Sequence, residues 1–126
     1  MIMNLVLGIM TAILVYLIVK RFIKPKYLKE LPEDEFRQGY RKAQLIDVRE
    51  QREFEGGHIL GARSIPLSQL KQRAAELRPD KPIYLYCQTG SRSIRASEFL
   101  KKKHGCEDLS HLKGGFRKWS GKVKKK

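Results

Sequence analysis

Cysteine is scarce: the 126 residues include only 2, Cys87 and Cys106. So few exclude a disulfide framework, and a free thiol at Cys87 fits a reducing compartment. No paired cysteines or histidines sit close together, which excludes the ligand spacing of zinc-type sites. Acids are outnumbered by bases, 13 against 27, and the formal net charge is +14. An excess of that size points to something anionic: nucleic acid, an anionic membrane surface or an anionic small substrate. Nucleic acid is disfavoured, because there is no recognition-helix pattern and no interleaving of aromatic with basic residues. Internal repeats are missing, and low complexity is confined to the tail. Once the hydrophobic amino-terminal segment is set aside, about 100 residues remain, enough for one small core and no second domain.

Charge is also missing from Met1 to Val19. Apolar side chains there face all sides of a helix, and the run spans about 28 Å at 1.5 Å per residue, close to the hydrocarbon thickness of a bilayer. Asn4 and Tyr16 fall near its ends, where polar and amphipathic groups are tolerated. No basic residue precedes the run and no small-residue cleavage site follows it, which argues against a cleaved export signal. Nothing else in the chain is large enough to bury such a helix. A transmembrane anchor is expected over residues 1–20, meeting the membrane through residues 2–19. Lys20, Arg21, Lys24, Lys26 and Lys29 follow. The positive-inside rule then puts the amino terminus outside the cell membrane and the remainder in the cytoplasm. These bases would also sit against the anionic leaflet, at about 1 kcal/mol each. Pro25 ends any helix, so residues 21–30 read as a basic juxtamembrane linker.

The rest of the chain is organised around Lys81-Pro82-Ile83-Tyr84-Leu85-Tyr86-Cys87-Gln88-Thr89-Gly90-Ser91-Arg92-Ser93. The run from Ile83 to Tyr86 is rich in β-formers and reads as a buried strand. From Ser91 to Lys103, Ile94, Ala96, Phe99 and Leu100 recur at roughly helical spacing. The layout is strand, tight loop, helix, with a thiol at the strand's carboxyl end, where ligands bind in open α/β sheets. Loop N–H groups and a helix N-terminus supply positive potential there. Such surroundings favour thiolate, so Cys87 is the candidate nucleophile.

In chain order, Pro32 to Phe36 opens a short helix ending near Gly39. Residues 43–48 read as a strand, residues 50–54 as one helical turn broken by Gly56-Gly57, and residues 62–65 as a short strand ended by Pro66. Leu67, Leu70, Ala74 and Leu77 predict one helix, closed by Pro79. Residues 106–112 hold a last short strand, and Gly114-Gly115 opens a final helix containing Phe116 and Trp119. Residues 122–126 form a basic tail, expected to be solvated and disordered. Strands alternating with helical stretches make the fold class α/β: a small parallel sheet with helices on both faces, preceded by one transmembrane helix.

The loop from Cys87 to Ser93 resembles the active-site loop of the rhodanese-like (sulfurtransferase) family, whose cysteine carries a persulfide. Two further stretches resemble the same family. One is Leu45-Ile46-Asp47-Val48-Arg49-Glu50 with Glu53-Phe54, running on to Gly57-His58-Ile59-Leu60-Gly61-Ala62-Arg63-Ser64-Ile65-Pro66. The other is Leu112-Lys113-Gly114-Gly115-Phe116-Arg117-Lys118-Trp119. They lie in the family's order across residues 31–121. The resemblance implies a sulfurtransferase that moves sulfane sulfur through a Cys87 persulfide. The donor would be thiosulfate or a persulfide, the acceptor a thiol, cyanide or a protein, and no metal or organic cofactor is needed. A non-catalytic binding module on the same fold is the alternative. Related phosphatases and arsenate reductases carry a loop one residue longer than the Gln88, Thr89, Gly90 and Ser91 that separate Cys87 from Arg92. Gln88 stands where an arginine is common, which implies weaker affinity for an anionic donor.

Gln88, Thr89, Gly90, Ser91 and Arg92 would form the substrate cradle, chiefly through backbone N–H groups, with Gly90 permitting the φ a tight loop requires. Arg92 suits two tasks equally: holding an anionic donor or bracing the loop against a carboxylate. Ser93 caps or lines the first helical turn, or binds substrate. Asp47 and Arg49 are expected to support the sheet edge, with substrate contact the lesser reading. His58 reads as a structural histidine, Phe116, Trp119 and Cys106 as core.

Overall fold

The computed structural model describes residues 1–22 and 26–125, and side chains other than those of Arg21 and Phe22. Helix α1 (Ile2–Phe22) comes first. Residues 2–20 have a mean hydropathy of 2.5 and are long and apolar enough to cross a membrane, and no part of that stretch is buried. The expected stop at Pro25 and the basic side chains of Arg21 and Lys24 lie outside the described residues, as does Lys126.

The remaining strands are β1 (Leu28–Leu31), β2 (Gln44–Asp47), β3 (His58–Ile59), β4 (Arg63–Ser64), β5 (Ile83–Tyr86), β6 (Leu109–Leu112) and β7 (Val123–Lys124). Five form one sheet in the order β1-β6-β5-β2-β4, and every pairing in it is parallel. The helices are α2 (Glu33–Gly39), α3 (Gln51–Glu55), α4 (Leu70–Arg73) and α5 (Ser91–His104). One face of the sheet buries Leu70, Ala74 and Leu77 with Ile94, Ala96 and Leu100 of α5. The other buries Phe36 and Tyr40, against which Phe116 and Trp119 pack. This is the expected α/β architecture, with Ile83, Leu85 and Tyr86 of the central strand β5 buried and Tyr84 partly so, as apolar runs in parallel sheets are.

Helix α5 stops where Gly105 takes the left-handed conformation at φ 73°, and Cys106 N–H closes the turn on the Leu100 carbonyl at 3.1 Å. Lys101, Lys102, Lys103 and His104 occupy its last turn, where the helix dipole favours positive charge.

Four segments differ from the sequence reading. The linker contains β1, whose Leu28 is fully buried. Its Lys29 and Glu30 masked a strand that is only half-buried at the sheet edge. The helix expected over residues 67–77 is instead a 3-10 turn (Leu67–Gln69), the single turn α4 and another 3-10 turn (Ala74–Glu76). The apolar spacing does face the core. The end of the segment is pulled toward β2, because Gln44 Nε2 donates to the Arg78 carbonyl at 2.9 Å and Arg78 N–H to Gln44 Oε1 at 2.8 Å. Likewise Gly114-Gly115 opens only a 3-10 turn (Phe116–Lys118). Finally, the tail is ordered as far as β7, which pairs antiparallel with β3, Val123 opposite Ile59. The Lys122 carbonyl there accepts from Leu60 N–H and from Trp119 Nε1–H, each at 3.2 Å.

Candidate active site

Strand β5 delivers Cys87 to the carboxyl end of the sheet, and the chain turns at Gly90, φ 121°, straight into α5. A side chain at that φ is strained, which is why glycine stands there. The turn aims main-chain donors inward: among the described residues, Gly90 N–H lies 2.9 Å and Ser93 N–H 3.4 Å from Cys87 Sγ. Amides converging from a turn and a helix's first residues support negative charge on the atom they face. Ser93 Oγ stands 3.7 Å from the same sulfur.

The loop is fixed from three sides. Phe116 N–H donates to the Cys87 carbonyl at 2.8 Å and Arg117 N–H to the Gln88 carbonyl at 3.2 Å. These bonds use the amides that open the Phe116–Lys118 turn, which have no acceptor within the turn itself. Gly115 packs so tightly on the Gln88 peptide that a Cβ would collide with it, and its φ is 72°. Arg49 forms the second brace. Its Nε and Nη2 hold both oxygens of Asp47 at 2.7–3.1 Å, Nη2 also donates to the Gly57 carbonyl at 2.7 Å, and Nη1 reaches Gln88 Oε1 at 3.1 Å. Its guanidinium lies 4.3 Å from the Phe116 ring centre. Burial alone would lower the Arg49 pKa, but the Asp47 carboxylate outweighs burial and raises it. The Tyr86 hydroxyl, which accepts Ile59 N–H at 3.0 Å, is pushed up by burial and by the Asp47 charge.

The third brace is Arg92. Its Nη1 and Nη2 pair with Glu53 Oε1 and Oε2 at 2.6 and 3.0 Å, a fork geometry that arginine provides and lysine does not. Glu53 also accepts Glu50 N–H at 3.0 Å in the capping box of α3. The Arg92 hydrogen bonds hold the Glu53 carboxyl below its ordinary range and raise the Arg92 guanidinium in return.

The sequence-predicted residues thus divide. Cys87, Gly90 and Ser93 converge on one sulfur. Arg92 pairs with Glu53, and the Gln88 side chain accepts from Arg49 Nη1. Thr89 is exposed and Ser91 half-buried. Asp47 and Arg49 meet in a buried ion pair. Cys87 has no exposed surface. His58 stacks on Phe54 at 3.6 Å and its Nδ1 lies 2.9 Å from the Phe54 carbonyl, a structural position. Cys106 is buried between α5 and β6 and has its thiol pKa raised by that burial. No group of three or more histidine, cysteine or acidic residues is placed to hold a metal among the described residues.

Two residues at the site escaped the sequence reading. Glu53 had a signal, the Glu50/Glu53 spacing of a capping box before a short helix. His111 had a weaker one: a histidine inside an otherwise strand-like Leu109-Ser110-His111-Leu112. It is 1% exposed, and its Nδ1 lies 2.7 Å from Ser93 Oγ.

The rhodanese-like domain model matches residues 24–122. The chain belongs to this family. The uncharacterized protein YqhL of Bacillus subtilis is 60% identical over 122 residues, covering 97% of this chain and 96% of YqhL. A Mycobacterium tuberculosis protein named probable adenylyltransferase/sulfurtransferase MoeZ is 43% identical over 82 residues, covering 64% of this chain but 21% of MoeZ. The crystal structure of a rhodanese-related protein from Thermoplasma volcanium superposes with a TM-score of 0.68 at 27% identity, covering 76% of this chain and 97% of that one. Sulfur transfer in general is the chemistry these likenesses suggest.

Proposed function

We propose that this rhodanese-like chain is a sulfurtransferase in which Cys87 carries the sulfur as a persulfide. The observation that carries the reading is the pair of amides, Gly90 and Ser93, aimed at Cys87 Sγ. With thiosulfate as donor, the Cys87 thiolate attacks the outer sulfur. A new S–S bond forms, the old one breaks, and sulfite leaves with the bonding pair. The persulfide's terminal sulfur stays anionic and is steadied by loop N–H groups. Cyanide, a thiol or a protein acceptor then takes that sulfur and restores the thiolate. Gln88, Thr89, Ser91 and Arg92 serve as the cradle's backbone, and Asp47 and Arg49 set its shape.

The apolar length of residues 2–20 and the bases that follow support a single-pass anchor in the cell membrane, amino terminus outside, domain in the cytoplasm. Tags at either end, probed with protease in intact cells, test this: a protected amino-terminal tag would reverse the orientation.

The chemical test is transfer from thiosulfate to cyanide, with persulfide labelling of Cys87 after exposure to several donors. Cys87→Ser abolishes both if the reading holds; transfer that survives it rules the mechanism out. The sealed sulfur favours one second reading, a rhodanese fold retained for binding a partner protein. A folded chain that labels with no donor would establish that reading.

A further inference from the structure

We propose that Ser93 and His111 form a proton path that charges and discharges Cys87, with the Glu30 carboxylate steadying its outer end. This rests on Cys87 being the nucleophile. The path crosses three neighbouring strands and one helix. Leu85 of β5 is in register with His111 of β6, and Glu30 of β1 with the same histidine. Ser93, the third residue of α5, hangs between. Cys87 Sγ to Ser93 Oγ is 3.7 Å, within reach of an S–H···O contact. Ser93 Oγ to His111 Nδ1 is 2.7 Å, and His111 Nε2 to Glu30 Oε2 is 3.3 Å. Cys87, Ser93 and His111 are buried, while the Glu30 side chain is 37% exposed, so the chain of groups runs from the sealed sulfur to solvent.

The protons balance without any outside reagent. The Cys87 thiol proton passes to Ser93 Oγ as the Ser93 proton passes to His111 Nδ1. The products are a thiolate, facing Gly90 and Ser93 N–H, and an imidazolium opposite a carboxylate, so total charge is unchanged. The buried Ser93 hydroxyl has two acceptors within reach, so donation to His111 Nδ1 competes with donation to the Gly90 carbonyl. That carbonyl, at 2.8 Å, also receives Ile94 N–H at 3.2 Å. When sulfur is handed on, the reverse transfer returns the neutral pair. Arg92 on α5 also faces Cys87, but it is committed to Glu53 on α3. Arg49, at the end of β2, and Tyr86, on β5, are tied to Asp47 and Ile59. Ser93 joins Cys87 to His111, which makes the histidine a positioning residue for the thiolate.

The test is the pH dependence of Cys87 alkylation by iodoacetamide in the full chain in detergent micelles, with peptide mass spectrometry separating Cys87 from Cys106. In His111→Gln and in Ser93→Ala the midpoint rises by about one pH unit, a tenfold loss of thiolate on the acid side. The double variant moves no further than the larger single one. Glu30→Gln gives a smaller rise, because that carboxylate is screened by solvent. Midpoints equal to that of the unaltered chain in folded Ser93→Ala and Glu30→Gln overturn the proposal, even if His111→Gln fails to fold. Unshifted midpoints in a chain that does transfer sulfur reject only the proton path. Shifted midpoints in a chain that transfers none support the path and reject only the sulfurtransferase reading.

Discussion

Arg92 shows how far a single side chain's task can be read before its neighbours are known. An arginine after a cysteine loop can grip a donor or grip the scaffold. The decision rests with Glu53, on a separate element, which meets it through two charge-assisted hydrogen bonds. Both partners are about one-third exposed, so the pair contributes about 0.5–1 kcal/mol after solvent screening. The Glu53 carboxyl titrates lower in the folded chain than in the unfolded one, so this stability is complete above the ordinary carboxylate range. It fades as pH falls through the folded value. Urea denaturation should therefore show Glu53→Gln less stable than the unaltered chain at neutral pH and indistinguishable from it well below about pH 4. A difference that persists in acid would mean the pair acts by packing. Cys87 and Gly90 were legible one residue at a time, because a thiol at a strand end and a glycine in a tight turn are local facts. His111 and the Gln88–Arg49 contact were not, since each depends on which strands become neighbours.

At the level of elements, hydrophobic pattern located β2, β5 and α5 closely, because both strands are mostly buried and α5 repeats its buried positions at helical spacing. It failed where charges interrupt a run or hydrogen bonds leave the segment. Strand β1 is four residues with two charges, and its pairing with β6 is what gives it shape. The segment after Gly114-Gly115 donates its amides to the Cys87 loop. Residues 67–77 keep helical spacing while the backbone tightens into short turns. Edge strand β1 nevertheless carries weight, since Leu28 is fully buried in the core, in register with Leu109 of β6. Leu28→Ala should cost about 2–5 kcal/mol, the range for a truncated core leucine, and lower Tm accordingly. Because β1 also holds Glu30, thermal melting and Cys87 alkylation can be compared in the same variant. A change under about 0.5 kcal/mol would show that β1 is peeled away in solution.

Taken whole, the molecule joins an unpartnered apolar helix to a strongly basic domain. If α1 lies in a bilayer, the full chain partitions into the membrane fraction and resists extraction by high salt. Salt screens the basic residues but not the burial of apolar surface. A chain lacking residues 1–22 should become extractable while retaining the circular dichroism of the folded domain, since β1 begins at Leu28. Release of the full chain by salt alone would reduce α1 to a surface contact. The short distance in sequence between α1 and β1 has a further consequence. From Phe22 to Leu28 the backbone reaches at most about 22 Å, whatever path it takes. Where α1 spans a bilayer, a domain on so short a leash stays in a thin layer next to the lipid, and its encounters with any companion embedded in the same sheet of lipid become a search in two dimensions.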